Sequence, residues 1–458
     1  MASGMKKAAA CLAALCLLLL CGGCRKKPQE TSGQAEASRE GSVTSPGTAA
    51  PSAAEWLDSP YTVCREEDDG TYTLRIYASP VQYRAEDGGY RLFDNSLKEA
   101  EKEPFAYQNQ AGKATVYFPK TLGFKVWLEC GEERAFLSKL FYDFSDGERQ
   151  EYINAYGDTV EAVVYGREDS DVALYPTPLG VQMELLVREP PASDLLFALP
   201  LTCDSPVCDN RENGVVCFGT GQAAEWVLQQ PLLKQEGEPL QLCGGLWLYG
   251  DSGHYSYQAR AGEVTTAYPY RLCPAFEKRT DGGLGMLPDS TAYSEWEANS
   301  YLSRAALVGR SERGDGRHYT RLRLHDFMTL SPGSVLEASY HFRRLDASDE
   351  VSLKAREVES QWSSTRLLWD SQPALGDAIG AAEPEGNGWY AVEMRSFVQE
   401  CLADPTGEKE SQGFALCGQG VGSALIATSD NTLYPPYLEL RLKGLPASFD
   451  RQRLEAGL

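Results

Sequence analysis

The fold class follows most directly from one stretch of sequence, Val335-Leu336-Glu337-Ala338-Ser339-Tyr340-His341-Phe342-Arg343. Apolar and polar residues alternate along it, which predicts a β-strand that buries one face. The residues predicted on that face are Leu336, Ala338, Tyr340 and Phe342. Other stretches alternate in the same way and predict further strands. Their predicted buried residues are Tyr72, Leu74 and Ile76 in 71–77; Leu322 and Leu324 in 320–325; Val351, Leu353 and Ala355; and Leu438, Leu440 and Leu442. A strand with one apolar face needs a second layer to cover it, so these runs predict packed sheets.

Turn and helix signals extend this pattern to the whole chain. Turns separate the short runs at Asp69-Gly70, Asp87-Gly88-Gly89, Asp146-Gly147 and Asp281-Gly282-Gly283. One helix is predicted from the i, i+3, i+4 spacing of Met394, Phe397, Val398, Cys401 and Leu402. We therefore predict an all-β fold with two β-rich domains, the C-terminal one a jelly-roll-like β-sandwich with one short helix.

The first 24 residues resemble a bacterial lipoprotein signal. Lys6 and Lys7 precede an apolar run, 8–20, which has the length of a signal-peptide core and is too short to span a membrane. The run leads into Leu20-Cys21-Gly22-Gly23-Cys24, which resembles a lipobox with Cys24 as the lipidated residue. An ordinary secretory signal and a short anchor are the alternatives. The signal predicts a protein anchored by lipid on the extracellular face of the bacterial cytoplasmic membrane.

The organisation after the signal follows from composition. The predicted segments are 1–23, signal peptide; 24–54, lipidated cysteine and flexible tether; 55–280, β-rich N-terminal domain; 288–443, β-sandwich; and 444–458, C-terminal tail. The tether is rich in Ser, Gly, Ala and Pro and has no apolar period. The boundary falls near 277–288, where the stretch 278–283, Lys-Arg-Thr-Asp-Gly-Gly, interrupts the strand pattern.

Charge limits the classes of partner. The chain of 458 residues has 65 Asp and Glu against 43 Lys and Arg, a formal net charge of −22. This balance argues against nucleic acid as a partner, and against electrostatic binding to anionic lipid or to an anionic wall polymer. Attachment to the membrane is therefore expected through lipid on Cys24.

Nine cysteines follow Cys24, and an odd number in an exported protein leaves at least one unpaired. Most are flanked by apolar residues and are predicted to be buried free thiols. Cys203 and Cys208 form the one close pair, for which a disulfide is the alternative.

The C-terminal part, about 288–443, resembles the DNRLRE domain family of bacterial surface proteins. The resemblance rests on ordered stretches: Val308-Gly309 followed by Tyr319-Thr320-Arg321-Leu322-Arg323-Leu324; Ser331-Pro332-Gly333-Ser334; Gln361-Trp362 with Leu368-Trp369-Asp370; Gly388-Trp389-Tyr390; Gly413-Phe414-Ala415-Leu416; and Pro436-Tyr437-Leu438-Glu439-Leu440. The helix start departs from the family pattern, with Glu393-Met394-Arg395 in place of Asp-x-Thr.

The region 60–277 resembles the β-rich segment of wall-associated and RHS-type secreted proteins. The matching stretches are Ser79-Pro80-Val81-Gln82-Tyr83, Asp94-Asn95-Ser96-Leu97, Asp171-Val172-Ala173-Leu174-Tyr175 and Tyr268-Pro269-Tyr270. The two resemblances together imply a non-catalytic surface module, and related domains are associated with carbohydrate binding.

Motifs for catalysis and metal binding are weak. Gly250-Asp251-Ser252-Gly253 matches a serine-protease nucleophile loop, but all four histidines follow Ser252, whereas that family has its base earlier. An exposed hairpin turn explains the motif better.

Acidic runs such as 346–350 are expected in solvated turns rather than as a glycosidase pair. No cofactor is predicted beyond a structural Ca²⁺, for which the candidate ligands are Asp289, Asp370, Asp377 and Asp430.

Aromatic residues near strand ends and loops are the better candidates for a binding site, because flat rings with nearby polar groups suit sugars. The candidates are Trp296, Tyr301, Trp389, Tyr390 and Tyr434. A structural role in packing is the alternative for each, and Trp362 and Trp369 are expected in the core.

The predicted function is a binding or adhesion module that presents its sandwich to polysaccharide or to an envelope protein. The alternative from a different functional class is a structural or assembly scaffold without a small ligand. A hydrolase is the weakest of the three hypotheses.

Overall fold

The structure is a computed structural model. It describes residues 55–137, 144–190, 195–203, 207–210, 215–220, 223–243, 246–251, 254–260, 267–279, 285–346 and 351–455. About 52% of the protein is strand and 8% is helix, so the predicted all-β class is confirmed.

The first half of the chain forms strands only, apart from a 3-10 turn at Glu55–Leu57. They are β1 Thr62–Glu66, β2 Tyr72–Tyr77, β3 Gln82–Arg84, β4 Tyr90–Leu92, β5 Asp94–Glu99, β6 Phe105–Ala111, β7 Thr115–Pro119, β8 Val126–Cys130, β9 Glu133–Leu137, β10 Glu148–Ile153, β11 Thr159–Gly166, β12 Ser170–Thr177, β13 Gly180–Val187, β14 Leu195–Cys203, β15 Val207–Asn210, β16 Val216–Thr220, β17 Ala223–Leu228, β18 Leu232–Gln235, β19 Gln241–Leu242, β20 Leu246–Asp251, β21 His254–Arg260, β22 Tyr270–Cys273 and β23 Ala275–Lys278.

The second half continues with strands and three short helices. The strands are β24 Asp289–Tyr293, β25 Ala305–Ser311, β26 Gly314–Thr320, β27 Met328–Thr329, β28 Val335–Arg343, β29 Val351–Val358, β30 Leu375–Gly386, β31 Trp389–Glu393, β32 Phe414–Gly420, β33 Ser423–Ala427, β34 Tyr437–Leu442 and β35 Ser448–Phe449. The helices are α1 Arg395–Ala403, α2 Glu408–Gln412 and α3 Arg451–Glu455, with 3-10 turns at Pro332–Ser334 and Trp369–Ser371.

One sheet contains twelve strands in the order β1-β2-β34-β28-β31-β30-β29-β32-β26-β25-β33, with β24 beside β26. Its inner faces share one apolar core, in which Leu74, Tyr340 and Leu440 are completely or almost completely buried. β2 pairs with β34, so the start of the described chain joins the sheet formed by its end. This pairing crosses the boundary predicted at 277–288, because an alternating strand specifies which face is buried but not which strand lies beside it.

Two further sheets share a second core and form a sandwich-like unit. The first has the order β20-β21-β14-β9-β8-β7-β6-β5, and the second has β10-β11-β12-β13-β23-β17-β16-β15 with β18, β19 and β22 attached. Phe118 and Leu128 from the first sheet and Leu174 and Trp226 from the second are 0–1% exposed in this core.

The strand β28 forms as predicted, but one residue of its buried face differs from the prediction. Ala338, Tyr340 and Phe342 on β28 are buried, but Val335 and not Leu336 enters the core. The pairing of β28 with β34 shifts register between Val335 and Glu337, and such a bulge turns the first residues to the other face. The prediction for Leu336 was therefore wrong.

The strand predicted over 320–325 was also wrong, although its apolar residues are buried. β26 ends at Thr320, and Leu322 and Leu324 lie beyond it with no exposed surface. The amide of Leu322 donates to the carbonyl of Glu410, which lies in α2. The alternation therefore indicated the buried positions correctly, but the segment that contains them is irregular and does not pair as a β-strand.

The predicted helix and the free thiols are confirmed. α1 buries Phe397, Val398, Cys401 and Leu402, while Met394 occupies the N-cap position. Two other short helices in the described residues, α2 and α3, were not predicted. Of the seven cysteines described as free thiols, six are buried and Cys417 is half-buried. The side chains of Cys203 and Cys208 lie outside the described part.

A buried polar cluster links the strands of the two larger cores. Arg304 is 3% exposed and donates to Gln182 Oε1 at 2.6 Å and to the backbone carbonyls of Gln230 and Cys273. Nearby, Glu277 accepts hydrogen bonds from the hydroxyls of Thr177 and Thr432. These bonds hold the start of β25 and the segment before β34 against β13, β22 and β23.

Candidate functional site

A cleft of about 1100 Å³ opens between the segments 153–158 and 384–390. One wall consists of the turn 153–158 and the adjoining ends of β13, β18 and β22. The other wall consists of the end of β28, 343–346, and the hairpin tip 384–390. Residues far apart in the sequence therefore build the site together.

The hairpin tip between β30 and β31 depends on three consecutive residues with positive φ. Gly386, Asn387 and Gly388 have φ of 102°, 51° and 80°. Glycine and asparagine are the residues that adopt this region most readily. A Cβ on Gly388 would lie 3.0 Å from the carbonyl oxygen of Arg344, so glycine is also needed for the close approach. This turn places Trp389 immediately after it, at the edge of the cleft.

Trp389 is held from behind by a stack of rings. Its ring centroid lies 5.6 Å from that of Tyr437, which stacks on His341 at 4.5 Å with an interplanar angle of 5°. His341 Nδ1 lies 2.8 Å from Glu385 Oε2, on the same hairpin as Trp389. Trp389 is half-buried and lines the cleft, so it offers a positioned aromatic surface.

An ion pair joins the two walls beside this ring. Arg343 donates to both carboxylate oxygens of Asp158, at 2.8 and 3.1 Å. Tyr434 donates its hydroxyl to Asp158, and the Arg343 guanidinium lies 3.9 Å above the Tyr434 ring. Burial and the hydrogen bond to Asp158 raise the pKa of Tyr434 well above its usual range, so its phenol keeps its proton and remains a donor.

A buried carboxylate supports the opposite wall. Glu184 on β13 is 0% exposed and accepts hydrogen bonds from the amide of Ala155 at 2.7 Å, Tyr175 at 2.9 Å and Tyr152 at 3.0 Å. Burial raises its pKa, although these donors and Arg271, 3.4 Å away, act in the opposite direction. Because Glu184 is fully enclosed, it anchors the turn 153–158 rather than facing a ligand.

Sequence reasoning missed the charged residues of the cleft. Asp346 was expected in a solvated turn, but its side chain is 6% exposed and accepts from Arg344 Nε at 3.1 Å. That prediction was wrong because the pairing of a carboxylate with a guanidinium two residues away permits burial of both. Asp158 and Arg343 gave no motif, since they are 185 residues apart.

The five aromatic candidates separate into two groups. Trp389 and Tyr390 line the cleft, and Tyr434 lies behind it through its bond to Asp158. Trp296 does not line the cleft: Arg313 lies 4.0 Å from its ring, Tyr293 is beside it, and it packs against the apolar cluster under the cleft. Tyr301 is 8% exposed in a small apolar cluster with Val215 and Val227. The structure therefore brings together three of the five.

The candidate residues for metal binding and catalysis receive less support than the aromatic ones. Within the described ranges, no group of three or more His, Cys, Asp or Glu side chains is placed to hold a metal ion. Asp289, one of the proposed calcium ligands, accepts instead from the amide and hydroxyl of Ser429. Ser252 and Cys24 lie outside the described residues. Asp251 on β20 and His254 on β21, on either side of the predicted hairpin turn, are paired with each other.

None of the helices in the described part is long and apolar enough to cross a membrane. Comparison with protein families and with curated proteins adds no relative: no family model matches the chain, and no curated protein matches it.

Proposed function

We propose that this protein is a non-catalytic surface lipoprotein that binds polysaccharide in the cleft between the turn 153–158 and the hairpin tip 384–390. The observation that carries the proposal is the placement of Trp389 in the same cleft as the Arg343–Asp158 pair. The volume of about 1100 Å³ lies just above the range of about 300–1,000 Å³ that is usual for small-ligand sites, so the cleft has room for a ligand of that class.

The chemistry of the two walls supports a saccharide. The flat face of an indole can cover the apolar C–H face of a sugar ring, as aromatic faces cover other apolar surfaces. Asp158 accepts from Arg343 and Tyr434, but a carboxylate has further lone pairs and this one is 38% exposed, so it can also accept from a sugar hydroxyl. The stack behind Trp389 and the bidentate pair fix both surfaces before binding, so less conformational entropy is lost when a ligand enters.

The location of the protein is part of the same proposal. Lipid on Cys24 would anchor the chain to the extracellular face of the cytoplasmic membrane, and the tether 24–54 would extend the cleft toward polysaccharide outside. The resemblance of 288–443 to DNRLRE domains supports a surface role of this kind. Excess negative charge disfavours electrostatic attachment, which leaves lipid as the means of anchoring.

A glycan array with full-length protein in mild detergent tests the proposal. Trp389→Ala is expected to weaken binding to the strongest glycan by about tenfold or more, as removal of a central aromatic anchor does. Trp127→Ala is the matched control, because it removes another half-buried tryptophan that does not line the cleft. A blank array would contradict saccharide binding and favour a role in envelope assembly. Equal losses in the two variants would contradict this location of the site.

A further inference from the structure

A second, smaller groove lies on the outer face of the twelve-stranded sheet. It has a volume of about 350 Å³ and crosses β26, β32 and β29. Cys417 on β32 is opposite Arg317 on β26 and opposite Lys354 on β29, so the three residues form a row across neighbouring strands. Arg356 lines the same groove.

The groove has four cationic residues and one carboxylate, Asp315, which pairs with Arg310. Within the part of the chain that the structure describes, Arg317, Lys354 and Arg356 form no ion pair with Asp or Glu. Arg310, at the edge of the groove, shows the contrast, since it pairs with Glu295 at 2.8 Å and Asp315 at 3.4 Å. Lys354 and Arg356 lie two residues apart on the same face of β29, and like charges placed in this way repel each other. Three such cations in a protein with a net charge of −22 therefore indicate a site for an anion.

The two guanidiniums are held in fixed orientations by neutral groups. Arg317 donates to Gln372 Oε1 at 3.0 Å, and its guanidinium lies 4.7 Å from the Trp369 ring centre. Arg356 donates from Nε and Nη2 to the carbonyl of Gly376, at 3.1 and 2.6 Å. These partners orient each guanidinium without neutralising it, and each keeps further N–H donors.

The small side chain between the cations leaves room for a ligand. Burial raises the pKa of Cys417, and the nearby positive charges of Arg317 and Arg356 act in the opposite direction. An oxyanion above Cys417 would lie between Arg317 and Lys354 and could accept charge-assisted hydrogen bonds from both sides.

We propose that this groove binds a single tetrahedral oxyanion, a phosphate or sulfate group, carried by an otherwise uncharged ligand. A polyanion is disfavoured because the net negative charge of the chain repels it. A single anionic group inside the groove lies within about 10 Å of the three cations, and salt screens charges only weakly over so short a distance. The site is separate from the saccharide cleft, and no residue lines both.

Calorimetric titration of the full chain with inorganic phosphate, and separately with inorganic sulfate, tests this site. The double variant Lys354→Gln/Arg356→Gln is expected to weaken binding by about tenfold or more, since it removes two charged donors. The matched control is Lys443→Gln/Arg395→Gln, which makes the same change in net charge at exposed positions outside the groove. The control is expected to bind as the unchanged protein does.

The outcomes separate clearly. Tighter binding of phosphate would identify a phosphate ester as the ligand group, and tighter binding of sulfate would identify a sulfate ester. Failure of the unchanged protein to bind either anion would overturn the proposal, as would equal affinity in the groove variant and its control. If circular dichroism shows that the double variant is unfolded, Lys354→Gln alone is used, with Lys443→Gln as its control.

Discussion

Glu277 shows how a single buried carboxyl makes stability depend on pH. It is 4% exposed, and burial raises its pKa although Thr177 and Thr432 donate to it. A folded state with a raised carboxyl pKa binds the proton more tightly than the unfolded chain does. The contribution of Glu277 to the free energy of unfolding is therefore largest at low pH and falls as pH rises above the unfolded value of about 4.3.

Glu277→Gln should remove this dependence while keeping an oxygen that can accept from both threonines. We expect the difference in free energy of unfolding between about pH 5 and about pH 8 to be smaller in the variant, as measured by urea denaturation at the two pH values. Glu297→Gln, on the surface, controls for the change in net charge. An unchanged pH dependence in Glu277→Gln would contradict a raised pKa for this residue.

Single residues of the site differ in how far the sequence could predict them. Trp389 and Tyr390 could be named because aromatic residues next to a Gly-rich turn are visible in the sequence. Asp158 and Arg343 could not be named, because each is an ordinary charged residue until the fold brings them within 2.8 Å of each other.

At the scale of elements, the β30–β31 hairpin determines the position of Trp389, and its turn gives a direct test. Gly388→Ala forces a side chain into a positive-φ conformation and against the carbonyl of Arg344, 3.0 Å away. We expect it to lower the free energy of unfolding by roughly 2–3 kcal/mol and to weaken glycan binding, because Trp389 moves with the turn.

Gly70→Ala is the matched control for this variant. Gly70 has a φ of 78° in the turn between β1 and β2, but a Cβ there would meet no atom within 4 Å. It should cost about 1 kcal/mol, from backbone conformation alone, and should leave glycan binding unchanged. Denaturation curves and array binding of the two variants measure both effects, and equal losses of stability would contradict the steric role of Arg344.

Elements with a clear period were predicted well, and irregular ones were not. β2, β29, β34 and α1 follow their apolar spacing, because burial on one face is the signal that the period reports. The bulge at the start of β28 and the irregular path through Leu322 and Leu324 depend on hydrogen bonds to distant segments, such as that to Glu410. The local sequence does not indicate which distant segment will supply these hydrogen-bond partners.

At the scale of the whole molecule, sheet order is what the sequence could not provide. β1 and β2 join the sheet that ends the chain, through a register that pairs Leu74 with Leu440. Each strand displays the same alternation, so many pairings bury equal apolar area and only the complete fold selects one. The cleft arises from this long-range assembly, which explains why its walls could not be predicted together.

Membrane attachment is tested by Cys24→Ser. We expect the variant to lose its radiolabelled palmitate, because Cys24 is the residue predicted to carry the lipid. Cys21→Ser, three residues earlier, is the matched control and should remain labelled and membrane-bound. Labelling of Cys24→Ser equal to that of the unchanged protein would contradict Cys24 as the lipidated residue.

A saccharide bound in the cleft beside Trp389 would cover both of its walls. Hydrogen–deuterium exchange of the full chain, with and without the strongest glycan from the array, measures this cover. We expect slower exchange in 153–158 and 384–390 when the glycan is bound. Unchanged exchange in both segments, with protection confined to other surfaces, would contradict saccharide binding in this cleft.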